Sequence, residues 1–184
     1  MLSVGNMGPI IIYIMGVSGS GKTTIGVKLS SKTGIPFFDG DDFHPARTIE
    51  KMRAGQPLND SDRAEWLARI NEIAKEQGTN KGAIIACSAL KEKYRNVLTA
   101  GLRVPVFWVI LRGGFDLIEK RMKLRRDHFM PAALLASQFE ALEIPTEAIT
   151  VDILDEPDKI VEVIISRLGF PSRVSGEGRR SRGR

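Results

Sequence analysis

Five short runs of apolar residues recur along the chain, and segments with apolar residues at helical spacing separate them. The runs are 10–15, 35–38, 83–87, 104–111 and 149–154. Continuous apolar runs of this length are typical of strands that are buried on both faces, as in parallel sheets. Strands that alternate with helices favour an α/β fold, with helices on both faces of a mainly parallel sheet. Periodicity alone leaves the order of the strands open.

The segments between these runs predict helices. The first is 22–33, and the second starts near Pro45 and stops before Gly55. The third is 60–77, and residues 88–95 lead into a short fourth helix. The last three are 115–124, 131–142 and 157–168. Asn59 or Asp60 is suited to cap the third of these, and Gly34 and Gly78 are suited to end the first and third. No internal repeat interrupts this alternation of strand and helix.

A glycine-rich loop joins the first predicted strand to the first helix. It matches the P-loop pattern with the sequence Gly16-Val17-Ser18-Gly19-Ser20-Gly21-Lys22-Thr23. In such a loop the backbone N–H groups turn around phosphate oxygens, and the following helix presents its positive end to the same anion. We therefore expect nucleotide binding by this loop and by Thr24, with Lys22 on the β and γ phosphates and Thr23 on Mg²⁺.

Composition places the chain among ordinary globular proteins. It has 184 residues, of which 42% are hydrophobic and 27% are charged. No apolar run is long enough to cross a bilayer, and no secretory signal pattern begins the chain. Cys87 is the only cysteine, so no intrachain disulfide can form. We expect a cytoplasmic protein without membrane partners.

The positive net charge is concentrated at the C-terminus. The net charge is +5, and residues 171–184 contain five arginines against one glutamate, which leaves only +1 for the rest. This Gly/Ser/Arg-rich tail has almost no apolar content, and we expect it to be disordered and solvated. The alternative is a nucleic-acid-binding arm on a P-loop regulator, but we expect no nucleic-acid partner.

A P-loop does not by itself distinguish a GTPase, a motor ATPase and a small-molecule kinase. The third predicted strand, 83–87, ends without the acidic residue that commonly assists Mg²⁺, and no Asn/Thr-Lys-x-Asp segment is present to bind guanine. These absences argue against a GTPase. Carboxylates instead follow the second strand, as Asp39-Gly40-Asp41-Asp42. Since ligands bind at the carboxyl ends of parallel strands, the acidic segment and the P-loop should share one crevice.

Several segments together resemble gluconokinase of the small P-loop type. They are the P-loop, Phe38-Asp-Gly-Asp41 with His44-Pro45, Ile49-Glu-Lys-Met52, Gly55-Gln-Pro-Leu-Asn-Asp60 with Asp62-Arg63 and Trp66-Leu67, Cys87-Ser-Ala-Leu-Lys91 with Tyr94-Arg95, and His128-Phe129 with Ser137-Gln-Phe139. The resemblance covers about 10–168. Shikimate kinase, a relative with the same fold, is the alternative, although its glycine triplet after the third strand is replaced here by Cys87-Ser88-Ala89.

The resemblance implies a fold and a reaction. The fold is a three-layer α/β/α kinase with a five-stranded parallel sheet in the order 2-3-1-4-5, one domain over 1–170 and a mobile helical lid at about 124–145. The reaction is the ATP- and Mg²⁺-dependent phosphorylation of D-gluconate at its 6-hydroxyl, which feeds the pentose phosphate pathway. The resemblance also implies a homodimer.

A sugar acid requires a carboxylate beside the reacting hydroxyl and cations for its own carboxylate. We expect Asp41 to orient the 6-hydroxyl and accept its proton, and Asp39 to hold Mg²⁺-bound water. Asp42 departs from the family, in which this residue is often apolar; it is read as a helix cap or a solvated acid, and the choice of base among the three stays open.

The remaining predicted ligands are basic residues, histidines and a helix start. Arg63 resembles the substrate-binding arginine of shikimate kinases and is expected to pair with the gluconate carboxylate. The other expected ligands of the acceptor are His44, Lys91, Arg95 and His128. Arg125 is the first choice among Arg121, Arg125 and Arg126 for stabilising the transferred phosphoryl group. The resemblance implies that Asp155 and Pro157 contact the adenine; by itself the sequence there indicates only the start of a helix. Solvent-exposed roles remain the alternative for each arginine and for Lys91.

Overall fold

The computed structural model describes residues 8–124 and 132–170. Two predicted site residues, Arg125 and His128, lie outside the described residues, as do the C-terminal tail and part of the predicted lid. Within the described ranges, no helix is both long and apolar enough to cross a membrane.

Five strands form one parallel sheet. They are β1 (Ile11–Met15), β2 (Phe37–Asp39), β3 (Ala83–Ala86), β4 (Val106–Arg112) and β5 (Ile149–Asp152). The order across the sheet is β2-β3-β1-β4-β5, and each neighbouring pair is parallel. This confirms the strand order that the family resemblance implied. β2 and β4 begin two residues later than predicted, directly after Pro36 and Pro105, because proline has no N–H to donate to a sheet.

Seven α-helices lie within the described residues. They are α1 (Lys22–Thr33), α2 (Ala46–Arg53), α3 (Asp60–Gly78), α4 (Glu92–Thr99), α5 (Phe115–Lys123), α6 (Ala132–Glu140) and α7 (Pro157–Arg167). Asn59 caps α3, since its side chain accepts from the Asp62 N–H while the Asp62 carboxylate accepts from the Asn59 N–H. α4 begins at Glu92, so residues 88–91 form a loop between β3 and the helix.

Alternate side chains of β1 enter two separate cores. Ile12 and Ile14 pack in one cluster with Leu29 of α1 and Ile164 of α7. Tyr13 and Met15 pack in the other, which includes Ile70 of α3 and Leu98 of α4. Side chains of a strand alternate between the two faces of its sheet, so helices cover both faces. The three-layer α/β/α architecture is therefore confirmed.

The register brings the carboxyl ends of three strands together. Ala86 of β3 pairs with Ile14 of β1 on one side and with Asp39 of β2 on the other. The P-loop leaves β1 at this edge of the sheet, and the acidic segment leaves β2 at the same edge. The sheet thus places the two predicted halves of the site side by side, as expected for an open α/β fold.

Candidate active site

Glycine is required at two positions of the P-loop. Gly16 has φ +141 and Gly19 has φ +80, which are left-handed values that other residues rarely adopt. A Cβ atom would lie 2.9 Å from the Leu111 carbonyl oxygen at Gly16, and 2.7 Å from Cγ of Met122 at Gly19. The loop is therefore packed against β4 and α5, and only glycine permits this approach.

Lys22 is the first residue of α1 and folds back over the loop. Its Nζ donates to the carbonyl oxygens of Gly16, at 3.1 Å, and of Val17, at 3.2 Å. The ammonium group is thus held at the start of the P-loop, beside the N-terminus of α1. A fixed cation next to a helix N-terminus suits the binding of phosphate.

Thr23 and Asp39 join the P-loop to the acidic segment. The Thr23 hydroxyl donates to Oδ2 of Asp39 at 2.7 Å, and Oδ1 of the same carboxylate accepts from the Asp41 N–H at 3.1 Å. Hydroxyl and carboxylate oxygens are ligands that fit Mg²⁺, which usually takes few protein ligands and is otherwise held by phosphate and water. No group of three or more His, Cys, Asp or Glu side chains that could hold a metal occurs in the described part of the chain.

Asp41 and Asp42 lie on a short 3-10 turn, Gly40–Phe43, that follows β2. Asp39 caps this turn, and α2 starts later, after Pro45, so the interpretation of Asp42 as a helix cap is wrong. Asp42 is exposed, in agreement with a solvated acid. The Asp41 side chain is 73% exposed, and its Oδ1 lies 4.0 Å from Nε2 of His44.

His44 is held under the acidic turn by its neighbours. Its ring stacks on Trp66 with the centroids 4.3 Å apart, and the Trp66 indole donates to the Gly40 carbonyl oxygen at 2.7 Å. The Thr48 hydroxyl donates to the Pro45 carbonyl at 2.8 Å and lies 3.3 Å from Nδ1 of His44. Nδ1 of the ring thus faces the Thr48 hydroxyl, and Nε2 faces the Asp41 carboxylate.

We expect His44 to titrate below its ordinary pKa of 6.5, chiefly because burial disfavours its charged form; Asp41 opposes this shift and Arg63 adds to it. The unfolded chain then binds the proton more tightly, so the free energy of unfolding should fall as the pH drops below about 6.5. NMR titration checks the pKa in a His128→Gln background, in which His44 is the only histidine. His44→Asn should flatten the pH dependence of unfolding, and a midpoint at or above 6.5 would contradict the assignment.

A cavity of about 300 Å³ opens beside the second half of the P-loop. Its lining includes Gly19, Ser20, Gly21 and Thr24 from the loop and the start of α1, with Asp155 and Pro157 from the start of α7 and Arg121 from α5. The predicted nucleotide ligands are thus brought together. The Arg121 guanidinium donates to the Ile153 carbonyl oxygen at 2.8 Å, which places it at the wall of this cavity.

Arg63 lies near the N-terminus of α4. Its guanidinium carbon is 5.5 Å from the centre of the Tyr94 ring, and its Nη1 donates to the Leu58 carbonyl oxygen. The Tyr94 hydroxyl donates to Asp60 at 2.5 Å. The Lys93 ammonium and the Tyr94 hydroxyl, both hydrogen-bonded to Asp60, lower the pKa of its carboxyl group to about 2. These contacts fix Arg63 between α3 and α4.

The guanidinium group of Arg95 donates to carbonyl oxygens inside the protein. Its Nη1 donates to the carbonyl oxygens of Ala89 at 3.0 Å, Leu90 at 3.3 Å and Glu143 at 2.9 Å, and burial lowers its pKa. Ala89 has φ +44, a left-handed value that is uncommon for alanine. Arg95 therefore holds the loop 88–91 in its turn, and its contact with substrate stays a prediction. Lys91 is the cap residue before α4, so it precedes the helix that carries Arg95.

Cys87 is a buried thiol at the end of β3. Burial raises its pKa to about 12, and the charges of Asp41, Lys22 and Asp39 are close enough to act on it as well. A thiol with such a pKa is inert as a nucleophile at neutral pH, in agreement with the sequence-based interpretation.

Two side chains without a predicted role, Gln138 of α6 and Glu143 beyond the end of α6, contact the P-loop and the segment before α4. The N–H of Ser18 donates to Oε1 of Gln138 at 2.7 Å, and Nε2 of Gln138 donates to the Ser18 hydroxyl at 3.3 Å. The Glu143 carboxylate accepts from the N–H of Glu92 at 2.5 Å, and the Glu143 N–H donates to the Leu90 carbonyl at 2.8 Å. Gln138 belongs to the segment Ser137-Gln-Phe139 that the family resemblance includes, but no pattern in the sequence indicated its contact with Ser18 or the contacts of Glu143.

Known proteins resemble this chain over most of its length. A family model described as shikimate kinase matches residues 18–144. The thermoresistant gluconokinase of Escherichia coli is 44% identical over 161 residues, which cover 85% of this chain and 91% of that protein. The chain belongs to the gluconokinase family. A crystal structure of a gluconokinase from Sinorhizobium meliloti, 37% identical, matches with a TM-score of 0.79 over 89% of this chain and 94% of that one.

Membership of the gluconokinase family also accounts for the match to the shikimate kinase model. A shikimate kinase from Aquifex aeolicus matches with a TM-score of 0.57 at 21% identity, a likeness of fold alone. The sequence identity of this chain to the Escherichia coli gluconokinase, 44%, is about twice its identity to that shikimate kinase. The chain therefore also belongs to the family that the shikimate kinase model describes, since that model matches residues 18–144, and it is more similar in sequence to the gluconokinases.

Proposed function

We propose that this gluconokinase-family protein transfers the γ-phosphoryl group of ATP to the 6-hydroxyl of D-gluconate, which gives 6-phospho-D-gluconate and ADP. The observation that carries the proposal is the bond between Thr23 and Asp39, which joins a P-loop to an acidic turn in a chain of this family. One edge of the sheet then offers a phosphate site and a carboxylate for a hydroxyl acceptor.

The nucleotide half of the site uses the P-loop and the adjoining cavity. The base occupies the cavity between Thr24 and Pro157, and the phosphates follow the loop toward Lys22. Thr23, and Asp39 through water, would hold Mg²⁺, which neutralises phosphate charge when it is bound. Lys22 supplies a second positive charge at the terminal phosphates.

The acceptor half uses the 3-10 turn and the region around α4. Asp41 accepts the proton of the 6-hydroxyl, and Nε2 of His44 lies 4.0 Å from Oδ1 of Asp41, close enough for the ring to hydrogen-bond a second hydroxyl of the same polyol. Arg63 pairs with the carboxylate of the acid through its planar guanidinium, and Lys91 adds positive charge to that end.

Other parts of the proposal rest on the family resemblance. Arg125 stabilises the transferred phosphoryl group, and His128 contacts the acceptor. Both belong to the lid proposed at 124–145 of a single kinase domain, 1–170. The protein works as a homodimer in the cytoplasm, where its product enters the pentose phosphate pathway.

The test is ADP release from ATP and Mg²⁺ with a panel of acceptors. Gluconate, shikimate and nucleoside monophosphates are each compared with a reaction that lacks an acceptor. Stimulation by gluconate alone is the expected result. Stimulation by shikimate alone would instead favour the function of the family model that matches 18–144.

Arg63→Ala should raise the KM for gluconate roughly ten- to a hundredfold, because a charged hydrogen-bonded pair is lost. The KM for ATP should change less than about twofold, since the two ligands occupy separate halves of the site. Steady-state kinetics with each substrate varied gives both values. Arg69→Ala is the matched control, because Arg69 lies on the same helix and its guanidinium donates to the exposed Glu72 carboxylate at 3.0 Å. A larger effect on ATP than on gluconate would place Arg63 with the nucleotide.

A further inference from the structure

The helix α4 begins at a residue whose side chain cannot cap it. Lys91 precedes the helix in an extended conformation, and its carbonyl oxygen accepts from the N–H groups of Tyr94 at 3.0 Å and Arg95 at 3.2 Å. A cap residue normally offers a side-chain oxygen to the N–H groups of the first turn, whereas lysine has only donors. Its positive charge is also unfavourable at the positive end of a helix. Lys91 is therefore poorly suited to the position that it occupies.

Glu143, which follows α6, supplies an acceptor for the start of α4. Its Oε2 accepts from the N–H of Glu92, the first residue of the helix, at 2.5 Å. Two further bonds hold the backbone of Glu143 in place. Its N–H donates to the Leu90 carbonyl oxygen at 2.8 Å, and its carbonyl oxygen accepts from Nη1 of Arg95 at 2.9 Å. A carboxylate from a distant part of the chain thus offsets the unsuitable cap residue, both as an acceptor and as a negative charge.

The charge of Lys91 lies near the arginine that is proposed to bind the acid end of the acceptor. Hydrogen bonds from Lys93 and Tyr94 chiefly lower the pKa of the Asp60 carboxyl group, and the Lys91 charge contributes to the same shift. The centre of the Tyr94 ring is in turn 5.5 Å from the guanidinium carbon of Arg63. Lys91 and Arg63 are therefore both close to the pair formed by Asp60 and Tyr94, so the two cations can act on the same anion.

We propose that Glu143 is a positioning residue for the acceptor: it caps α4 from outside the helix and so holds Lys91 within reach of the sugar-acid carboxylate. This rests on the proposed phosphorylation of gluconate and goes beyond it, because it assigns a role in acceptor binding to a residue that follows α6. A residue that breaks a local rule and is compensated from elsewhere is typical of functional sites. Asparagine at position 91 would cap α4 without help, but it would remove the cation.

Glu143→Ala should raise the KM for gluconate about three- to tenfold, because Lys91 loses its fixed place when the start of α4 is no longer capped. Glu143→Gln keeps an oxygen that can accept from the Glu92 N–H, so its KM should stay within about twofold of that of the unmodified protein. The KM for ATP should change less than about twofold in both variants. Glu140→Ala is the matched control, since it removes an exposed carboxylate at the end of α6 and should leave both KM values unchanged.

A double-mutant cycle with Lys91→Asn shows whether Glu143 acts through Lys91. Asparagine can cap α4 itself, so Lys91→Asn should raise the Tm of the Glu143→Ala protein by about 2–4 °C. The KM for gluconate should nevertheless rise about tenfold in Lys91→Asn alone, because the cation is lost. Adding Glu143→Ala to Lys91→Asn should then raise this KM less than about twofold, since the two residues act as one unit.

An equal increase in KM from Glu143→Ala in the two backgrounds would overturn the proposal, as would a Glu143→Ala protein with a lowered Tm and an unchanged KM. If Glu143→Ala does not fold, Glu143→Asp takes its place in the cycle, because the shorter side chain keeps the charge but withdraws the oxygen from the Glu92 N–H. The unmodified protein is the reference for both tests. Lack of stimulation by gluconate would contradict the proposed function, whereas an additive cycle with gluconate as the substrate would contradict only the role of Glu143.

Discussion

Lys22→Ala is expected to lower kcat by about 10³-fold or more while the protein stays folded, because the variant loses a cation aimed at the charge of the transferred phosphoryl group. The Lys22 ammonium contacts the carbonyl oxygens of Gly16 and Val17 but fills no core position. Thermal unfolding should therefore change little. ADP release at saturating gluconate and ATP measures the loss.

Lys28→Ala is the control for this change. Lys28 lies on the same helix, and its ammonium forms an exposed ion pair with Asp158 at 3.0 Å. Exposed pairs of this kind contribute little to stability, so activity and unfolding should both stay near those of the unmodified protein. A folded Lys22→Ala protein with comparable turnover would refute the assignment of the P-loop to phosphoryl transfer.

Asp41→Asn should lower kcat about 10²- to 10⁴-fold, the range typical of a lost general base. The KM for gluconate should change much less, because the amide can still hydrogen-bond the hydroxyl in the ground state. Kinetics with gluconate varied at saturating ATP separates the two effects. Asp41 is exposed and its side chain supports no core contact, so the comparison is free of a folding defect.

Asp42→Asn is the matched control, since Asp42 lies on the same turn and is also exposed. Its kcat should stay within about twofold of that of the unmodified protein. An effect of Asp41→Asn on KM alone would move the role of the base to Asp39 or Asp42. Asp39 already bonds Thr23 and the Asp41 N–H, which suits a metal-site ligand better than a proton acceptor.

Local sequence determined much of the fold. The runs of apolar residues located all five strands, and the observed ends differ from the predicted ones by no more than two residues; at Pro36 and Pro105 the start is delayed because proline has no N–H to donate to the sheet. The P-loop could be identified from its spacing because each glycine has a local geometric reason. The strand order came from the family resemblance, since periodicity describes the burial of a strand and not its neighbours.

The contacts of the site were harder to predict, because they join residues that are distant in sequence. Arg95 was predicted as a ligand of the acceptor, and no local pattern reveals that its guanidinium donates to carbonyl oxygens on the preceding loop and at Glu143. Gln138 lies 120 residues from Ser18 in the chain. A single sequence contains no signal for such a pair.

The hydrogen bonds that hold the loop 88–91 indicate how the acceptor specificity of this protein could be changed. Arg95 and Glu143 hold the loop through its backbone groups, so its conformation depends little on the side chains at Ser88 and Lys91. Ser88 and Lys91 can be randomised in a library while Arg95 and Glu143 are kept. Selection from such a library would explore other sugar acids on an unchanged backbone.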